Sequence, residues 1–149
     1  MEFSYRSLPY NVLFNEGAIA RLPDEVRKLG SKALVLCTPE QRATAESASR
    51  ALGELAVGIF DRATMHVPRE IAQEARATAE QLGADVCVAI GGGSTIGLGK
   101  AIALVSEIPI IAVPTTYAGS EMTQIWGMTT DGLKQTGFFA EMQRKYGRR

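Results

Sequence analysis

Val86-Cys87-Val88-Ala89-Ile90-Gly91-Gly92-Gly93-Ser94-Thr95-Ile96-Gly97-Leu98-Gly99-Lys100-Ala101-Ile102 is the stretch on which the fold turns. Its first five residues are apolar without a break, the pattern of a strand buried on both faces. Three glycines follow. Leu98, Ala101, Ile102 and Val105 then recur at helical spacing, from a helix start at Ser94 or Thr95. A strand that passes into a helix through so short a turn is half of a βαβ unit, whose strands run parallel.

The same alternation extends outward. Upstream, Ile19, Leu22, Val26 and Leu29 share a helical face, and Gly30 is expected to close that helix as a left-handed cap. Ala33–Cys37 reads as a strand. Thr38-Pro39-Glu40-Gln41 then carries an N-cap, a proline at the first helical position and a capping-box glutamine, ahead of an alanine-rich helix to about Leu52. Val57–Phe60 is a further strand, and Pro68 opens a helix with Ile71, Ala72, Ala75, Ala79 and Leu82 on one face and Gly83 at its end. Asp85–Ile90 is the strand quoted above, and Ile110–Val113 is the next, ended by Pro114. Strands and helices alternating over short connections predict an α/β, doubly wound, mostly parallel sheet with helices on both faces. Two outlying segments are antiparallel: a short pair, Phe3–Arg6 with Asn11–Phe14, and an appended β-hairpin at the sheet edge. The hairpin joins Ile125–Thr129 to Leu133–Thr136 through the tight turn signal Asp131-Gly132.

The 149 residues have the size of one ordinary domain, too small for a separate substrate domain as well. With 16 basic and 16 acidic side chains, the zero net charge gives no reason to expect nucleic acid or an anionic membrane as partner. Met1–Arg6 lacks a basic region leading into an apolar one, and no apolar run nears the ~20 residues that span a bilayer. A cytoplasmic domain is expected. Cys37 and Cys87 each sit inside an apolar run and read as buried, reduced thiols.

The glycine turn has a chemical reading. Glycines let a ligand approach the backbone closely, and the free N–H groups and dipole of the following helix start favour an anion such as a pyrophosphate. The spacing is neither the usual dinucleotide fingerprint, since Ile96 stands where its third glycine belongs, nor a Walker loop. A tight βα turn with no ligand uses the same residues. At the next strand end, Pro114-Thr115-Thr116-Tyr117-Ala118-Gly119-Ser120-Glu121 offers consecutive hydroxyls, which bond a ligand or close an ST-type turn on themselves. Loops after sequential parallel strands face one crevice, where such sheets bind ligands.

Gly91-Gly92-Gly93-Ser94 with Lys100, and Pro114-Thr115-Thr116 with Gly119-Ser120-Glu121, together resemble the amino-terminal domain of the iron-containing alcohol dehydrogenase superfamily, and more closely its maleylacetate reductase branch. Gly91–Ala103 and Pro114–Gly127 are similar to that branch nearly residue for residue. Met65-His66-Val67-Pro68 resembles it too, and the likeness covers residues 1 to about 137. The resemblance implies reduction of maleylacetate to 3-oxoadipate with NADH or NADPH, in bacterial breakdown of aromatic compounds. It implies that Gly92, Gly93, Ser94 and Thr95 hold the pyrophosphate. Thr115, Thr116 and Ser120 then contact the phosphate, ribose and nicotinamide side, and Thr38 lies near the adenosine ribose; no catalytic residue is assigned. Relatives that prefer NAD often carry an acidic residue where Thr38 stands, and with Glu40 two residues on, the choice of nicotinamide stays open.

In the same resemblance, metal-dependent alcohol dehydrogenases place aspartate three residues after the serine, where this chain has Gly97, which favours the reductase. The superfamily's metal ligands, one Asp and several His, belong to a carboxyl-terminal helical domain. The single histidine, His66, cannot supply them, and no metal is expected here; His66 reads as a solvated loop residue or a wall of the crevice. Residues 138–149 carry Arg144, Lys145, Arg148 and Arg149 against Glu141 and depart from the family pattern after Thr136-Gly137. They are expected to form a basic tail, disordered or out of register, on a truncated chain. Such a chain holds the cofactor, meets a maleylacetate-type substrate only with the helical domain, and turns over little; the full-length family is expected to be homodimeric. A fragment of a related alcohol dehydrogenase and a non-catalytic dinucleotide-binding module are the other readings.

Overall fold

The computed structural model describes residues 11–138. Four strands, β1 (Ala33–Leu36), β2 (Ala56–Phe60), β3 (Val86–Gly91) and β4 (Ile110–Pro114), form one parallel sheet in the order β2-β1-β3-β4. The chain steps from β1 outward to β2, then crosses back over β1 to β3. Strand order therefore reverses between β1 and β3, and the loops leaving those strands diverge at their carboxyl ends. This is the switch point at which open α/β sheets form their ligand crevice.

Side chains alternate along the strands between two cores. Ala33, Val35, Cys37, Val88 and Ile90 pack on one face against α1 (Leu22–Leu29) and α2 (Arg42–Leu52) through Leu22, Val26, Ala45, Ala48 and Leu52. Leu34, Leu36, Cys87 and Ala89 pack on the other against α3 (Arg69–Leu82) and α4 (Gly93–Ser106). Helices thus cover both faces, as the unbroken apolar strands require. Cys37 and Cys87 are free thiols on opposite faces. Burial pushes the Cys37 thiol up to about 11, with Asp61 adding to the effect, and pushes Cys87 up to about 12.

α4 is buried around most of its circumference because the sheet, α3 and a hairpin enclose it, and only its last turn projects, leaving Val105 exposed. That hairpin, β5 (Ile125–Thr130) and β6 (Leu133–Phe138), is a two-stranded sheet of its own. It is not hydrogen-bonded to the edge strand β4, contrary to the expectation from sequence. The loop after Pro114 carries the chain across the crevice to α4, and Thr129 pairs with Pro68 ahead of α3. At the hairpin turn Asp131 and Gly132 have φ of 50° and 76°, the two left-handed residues that an Asp-Gly turn of this kind demands.

Two further local expectations change. Gly83 does close α3 in the left-handed region, but Gly30, after α1, is extended at φ 179°. Gly30 is needed for proximity: a Cβ there would lie 2.7 Å from Asp85 Cγ and 2.7 Å from Val86 Cγ2. The Asp85 carboxylate accepts the Ser31 N–H, Ser31 hydroxyl and Lys32 N–H at 2.7–3.0 Å, and so ties the entry of β1 to that of β3. Asn11–Phe14 lies in no strand of the described residues, and Val12 and Phe14 are exposed. Its expected partner, Phe3–Arg6, falls outside the described residues, as does nearly all of the tail 138–149.

Candidate functional site

The three glycines after β3 have three different physical reasons. Gly91 has φ 153°, and a Cβ on it would meet the Thr95 side chain, 2.9 Å from its Cβ, and Gln41 Oε1 at 3.0 Å. Its conformation and its neighbours both require glycine. Gly92 is pressed by the next loop, with Thr116 Oγ1 2.8 Å from where a Cβ would sit. Gly93 has no such neighbour: its nearest is Ala118 Cβ, at an ordinary 3.7 Å. Among the described residues, no neighbour demands glycine at position 93.

Gly93 faces a cavity of about 260 Å³. Ser94, Gly97, Ser120, His66 and Lys134 also line it, with Met65, Val67, Ile125 and Gly127 supplying apolar wall. α4 begins here without any side-chain cap, so the N–H groups of its first turn remain available to an anion. The wall opposite Gly97 is a strained one. His66 and Val67 have φ of 65° and 44°, the second a rare conformation for a β-branched residue. The hairpin over-determines it: Thr129 donates its N–H to the Val67 carbonyl at 3.1 Å and its hydroxyl to the His66 carbonyl at 2.9 Å. Val67 Cγ2 would stand 3.0 Å from a Cβ at Gly97. Any side chain at that helical position, an aspartate included, requires Val67 to give way.

Of the residues singled out from sequence, Gly93, Ser94 and Ser120 meet in the cavity. Thr116 rests on Gly92 beside them. Thr115 seals the end of the β3–β4 ladder, its N–H donating to the Gly91 carbonyl at 3.0 Å. Thr95 is wholly buried, with its hydroxyl against Gly91 and no hydrogen-bond partner among the described residues. Thr38 lies at the carboxyl end of β1, across the switch point and outside the cavity. There its hydroxyl holds the exposed Glu40 carboxyl below the usual range.

Two residues carry more of the site than their local sequence suggests. Gln41 makes no capping box; Thr38 gives no cap bond either. Instead the Gln41 amide reaches across the crevice and donates Nε2–H to Thr115 Oγ1 at 2.8 Å, a contact between residues 74 apart that no local pattern signals. Lys100, legible only as part of a motif, is the one buried charged side chain among the described residues. Its ammonium reaches Ser120, Thr123 and the Ile125 carbonyl. Burial lowers its pKa, partly offset by Glu121.

No three His, Cys, Asp or Glu side chains come together as a metal-ligand cluster among the described residues, and none of their helices is long and apolar enough to cross a membrane. The family model described as iron-containing alcohol dehydrogenase matches residues 9–144. The chain is 53% identical over 137 residues to a maleylacetate reductase of Sphingobium indicum, covering 92% of this chain and 39% of that protein. It is 62% identical over 127 residues to the maleylacetate reductase of Burkholderia cepacia, covering 85% and 36%. The crystal structure of maleylacetate reductase from Agrobacterium tumefaciens has a TM-score of 0.90 at 46% identity, covering 95% of this chain and 41% of that one. The chain therefore spans about two fifths of the length of these relatives.

Proposed function

This chain belongs to the iron-containing alcohol dehydrogenase family, and from that membership we propose that it forms the dinucleotide-holding wall of an NADH- or NADPH-dependent reductase that converts maleylacetate to 3-oxoadipate. The observation that carries the cofactor reading is Gly93. A glycine that no neighbour among the described residues requires, placed at an uncapped helix start and facing a cavity, is explained by a ligand that must come close to the backbone. The maleylacetate reductases among its relatives support the substrate.

The first-turn N–H groups of α4 hold the pyrophosphate, and the Ser94 and Ser120 hydroxyls lie beside it. Lys134 brings a positive charge to the same cavity. Met65, Val67 and Ile125 give part of the wall an apolar surface. When bound, the dinucleotide supplies the hydride; these residues supply orientation, which is the protein's share of such a reaction. The iron that the family name implies has no fitting donor set among the described residues. We assign residues 1–137 to this domain, with Phe138 completing β6 opposite Ile125. The concentration of positive charge in 138–149 supports treating that segment apart.

Calorimetric titration of the 149-residue chain with NADH and with NADPH tests the cofactor reading: saturable binding is expected, and a folded chain that binds neither overturns it. Hydride transfer needs nicotinamide and substrate face to face, and this wall is one side of that arrangement. Little NADH oxidation is therefore expected when maleylacetate is added to these residues alone; brisk turnover would refute the one-wall reading.

A further inference from the structure

The Lys100 ammonium has three N–H donors and no acceptor, and all three donors are engaged: Ser120 Oγ at 3.3 Å, Thr123 Oγ1 at 3.3 Å and the Ile125 carbonyl at 2.8 Å. Lys100 is only 5% exposed, and no carboxylate lies within ion-pair distance of it among the described residues. A hydroxyl facing an ammonium can only accept from it. Ser120 and Thr123 are therefore each left with one hydrogen to give elsewhere. Ser120 lines the cavity with Gly93 and Ser94, so the cavity is open to that hydrogen. No described protein group accepts its hydrogen. Thr123 shares the same ammonium and lies outside the cavity.

We propose that Lys100 is a positioning residue that makes Ser120 an obligate hydrogen-bond donor into the cavity, so that this corner selects an acceptor atom of the ligand and disfavours a donor. The inference rests on the dinucleotide reading. Two acceptors of a nicotinamide dinucleotide fit it, a pyrophosphate oxygen and the carboxamide carbonyl oxygen. A neutral side chain at position 100 would let the Ser120 hydroxyl rotate and accept as readily as donate, and the selectivity would go.

The test titrates the full chain and its variants with NADH and with ADP-ribose, which lacks the nicotinamide. Ser120→Ala is expected to weaken NADH about tenfold, the loss of one good hydrogen bond. Lys100→Met should weaken it in the same direction but by a smaller factor, because the freed hydroxyl can still donate, and the double variant should bind no more weakly than Ser120→Ala alone, because Lys100 acts only through that hydroxyl. Thr123→Val, which disturbs the same ammonium, should lower the melting temperature while leaving affinity within about twofold. Loss of NADH affinity with ADP-ribose unchanged in Ser120→Ala identifies the carboxamide as acceptor, and loss of both identifies the phosphate; either supports the proposal. Additive losses, a folded Lys100→Met with full affinity, or a Thr123→Val as damaging to binding as Lys100→Met would overturn it. Should Lys100→Met not fold, Ser120→Ala decides: unchanged affinity for both ligands sinks the proposal. A wild-type chain that binds neither ligand brings down the dinucleotide reading, and this one with it.

Discussion

Replacing Gly93 and Gly91 by alanine, one at a time, separates a glycine kept for a ligand from one kept for the fold. Gly93 is the first residue of α4, and an added methyl group meets only Ala118 Cβ at 3.7 Å. Alanine is favoured over glycine inside a helix by about 1 kcal/mol, less in the first turn, so Gly93→Ala should change stability by roughly 0 to +1 kcal/mol. In a domain of this size that is a rise of no more than about 2–4 °C in Tm. The same methyl group projects where a pyrophosphate must approach the backbone, and losing one hydrogen bond to a charged group, about 1.5–3 kcal/mol, weakens binding about 10- to 150-fold. Gly91→Ala reverses the pattern. It forces a side chain into φ 153° and to 2.9 Å from the buried Thr95 Cβ. Backbone strain of about 1–3 kcal/mol and overpacking of about 1–3 kcal/mol then add to a loss of about 2–6 kcal/mol, a large share of ordinary domain stability. Thermal melts followed by circular dichroism give the stabilities, and calorimetric titration with NADH gives the affinities. A Gly93→Ala chain that is folded and binds NADH like wild type refutes the assignment of the cavity. One that melts as early as Gly91→Ala refutes the packing argument beneath it.

Gly97→Ala offers about 1 kcal/mol of helix propensity against about 1–3 kcal/mol of crowding from Val67, so it should be neutral to destabilising. On a Val67→Ala background the crowding is gone and the same change should stabilise; melts of the four chains check the reversal of sign. Burial raises the Asp85 carboxyl, but the Lys32 and Ser31 N–H groups and the Ser31 hydroxyl hold it, on balance, below its usual 3.8. Its contribution to stability is therefore complete above that pH and declines as pH falls through the folded-state value, because the unfolded chain takes up the proton first. Asp85→Asn should be less stable at neutral pH and show a shallower acid decline; parallel acid limbs in a pH series of melts would contradict this. Gln41→Ala removes the bond to Thr115 across the crevice and should cost about 1 kcal/mol, with faster amide exchange at Thr115 as its local signature. Glu40, a carboxylate at neutral pH like any exposed glutamate, should repel a 2′-phosphate, so NADH should bind more tightly than NADPH, and Glu40→Gln should narrow the gap when both are titrated.

The residues of the chain were enough to read the fold class, because it depends on short-range regularities. Apolar runs of strand length, helical stripes such as Ala72–Ala75–Ala79, and punctuation at Gly83, Pro114 and Asp131-Gly132 are each complete within a few residues of sequence. They also placed the glycine turn and the hydroxyl loop at neighbouring strand ends. Gly30 shows where that kind of reading stops: its position suggested a left-handed cap, while its actual reason is the Asp85 carboxylate brought against it from the entry of β3, far along the chain. The hairpin likewise announced its own turn and not its seat on α4.

What makes the site depends on residues that meet only after folding. Gln41 spans the crevice to Thr115, Val67 is held in an unfavourable conformation by Thr129 and fills the space at Gly97, and Lys100 orients Ser120 from beneath. Local order follows from the period of side chains along a backbone, and that period is written in consecutive residues. Hydrogen-bond direction, close approach and the burial of a charge depend on distances between segments, and only the packed sheet and helices set those distances.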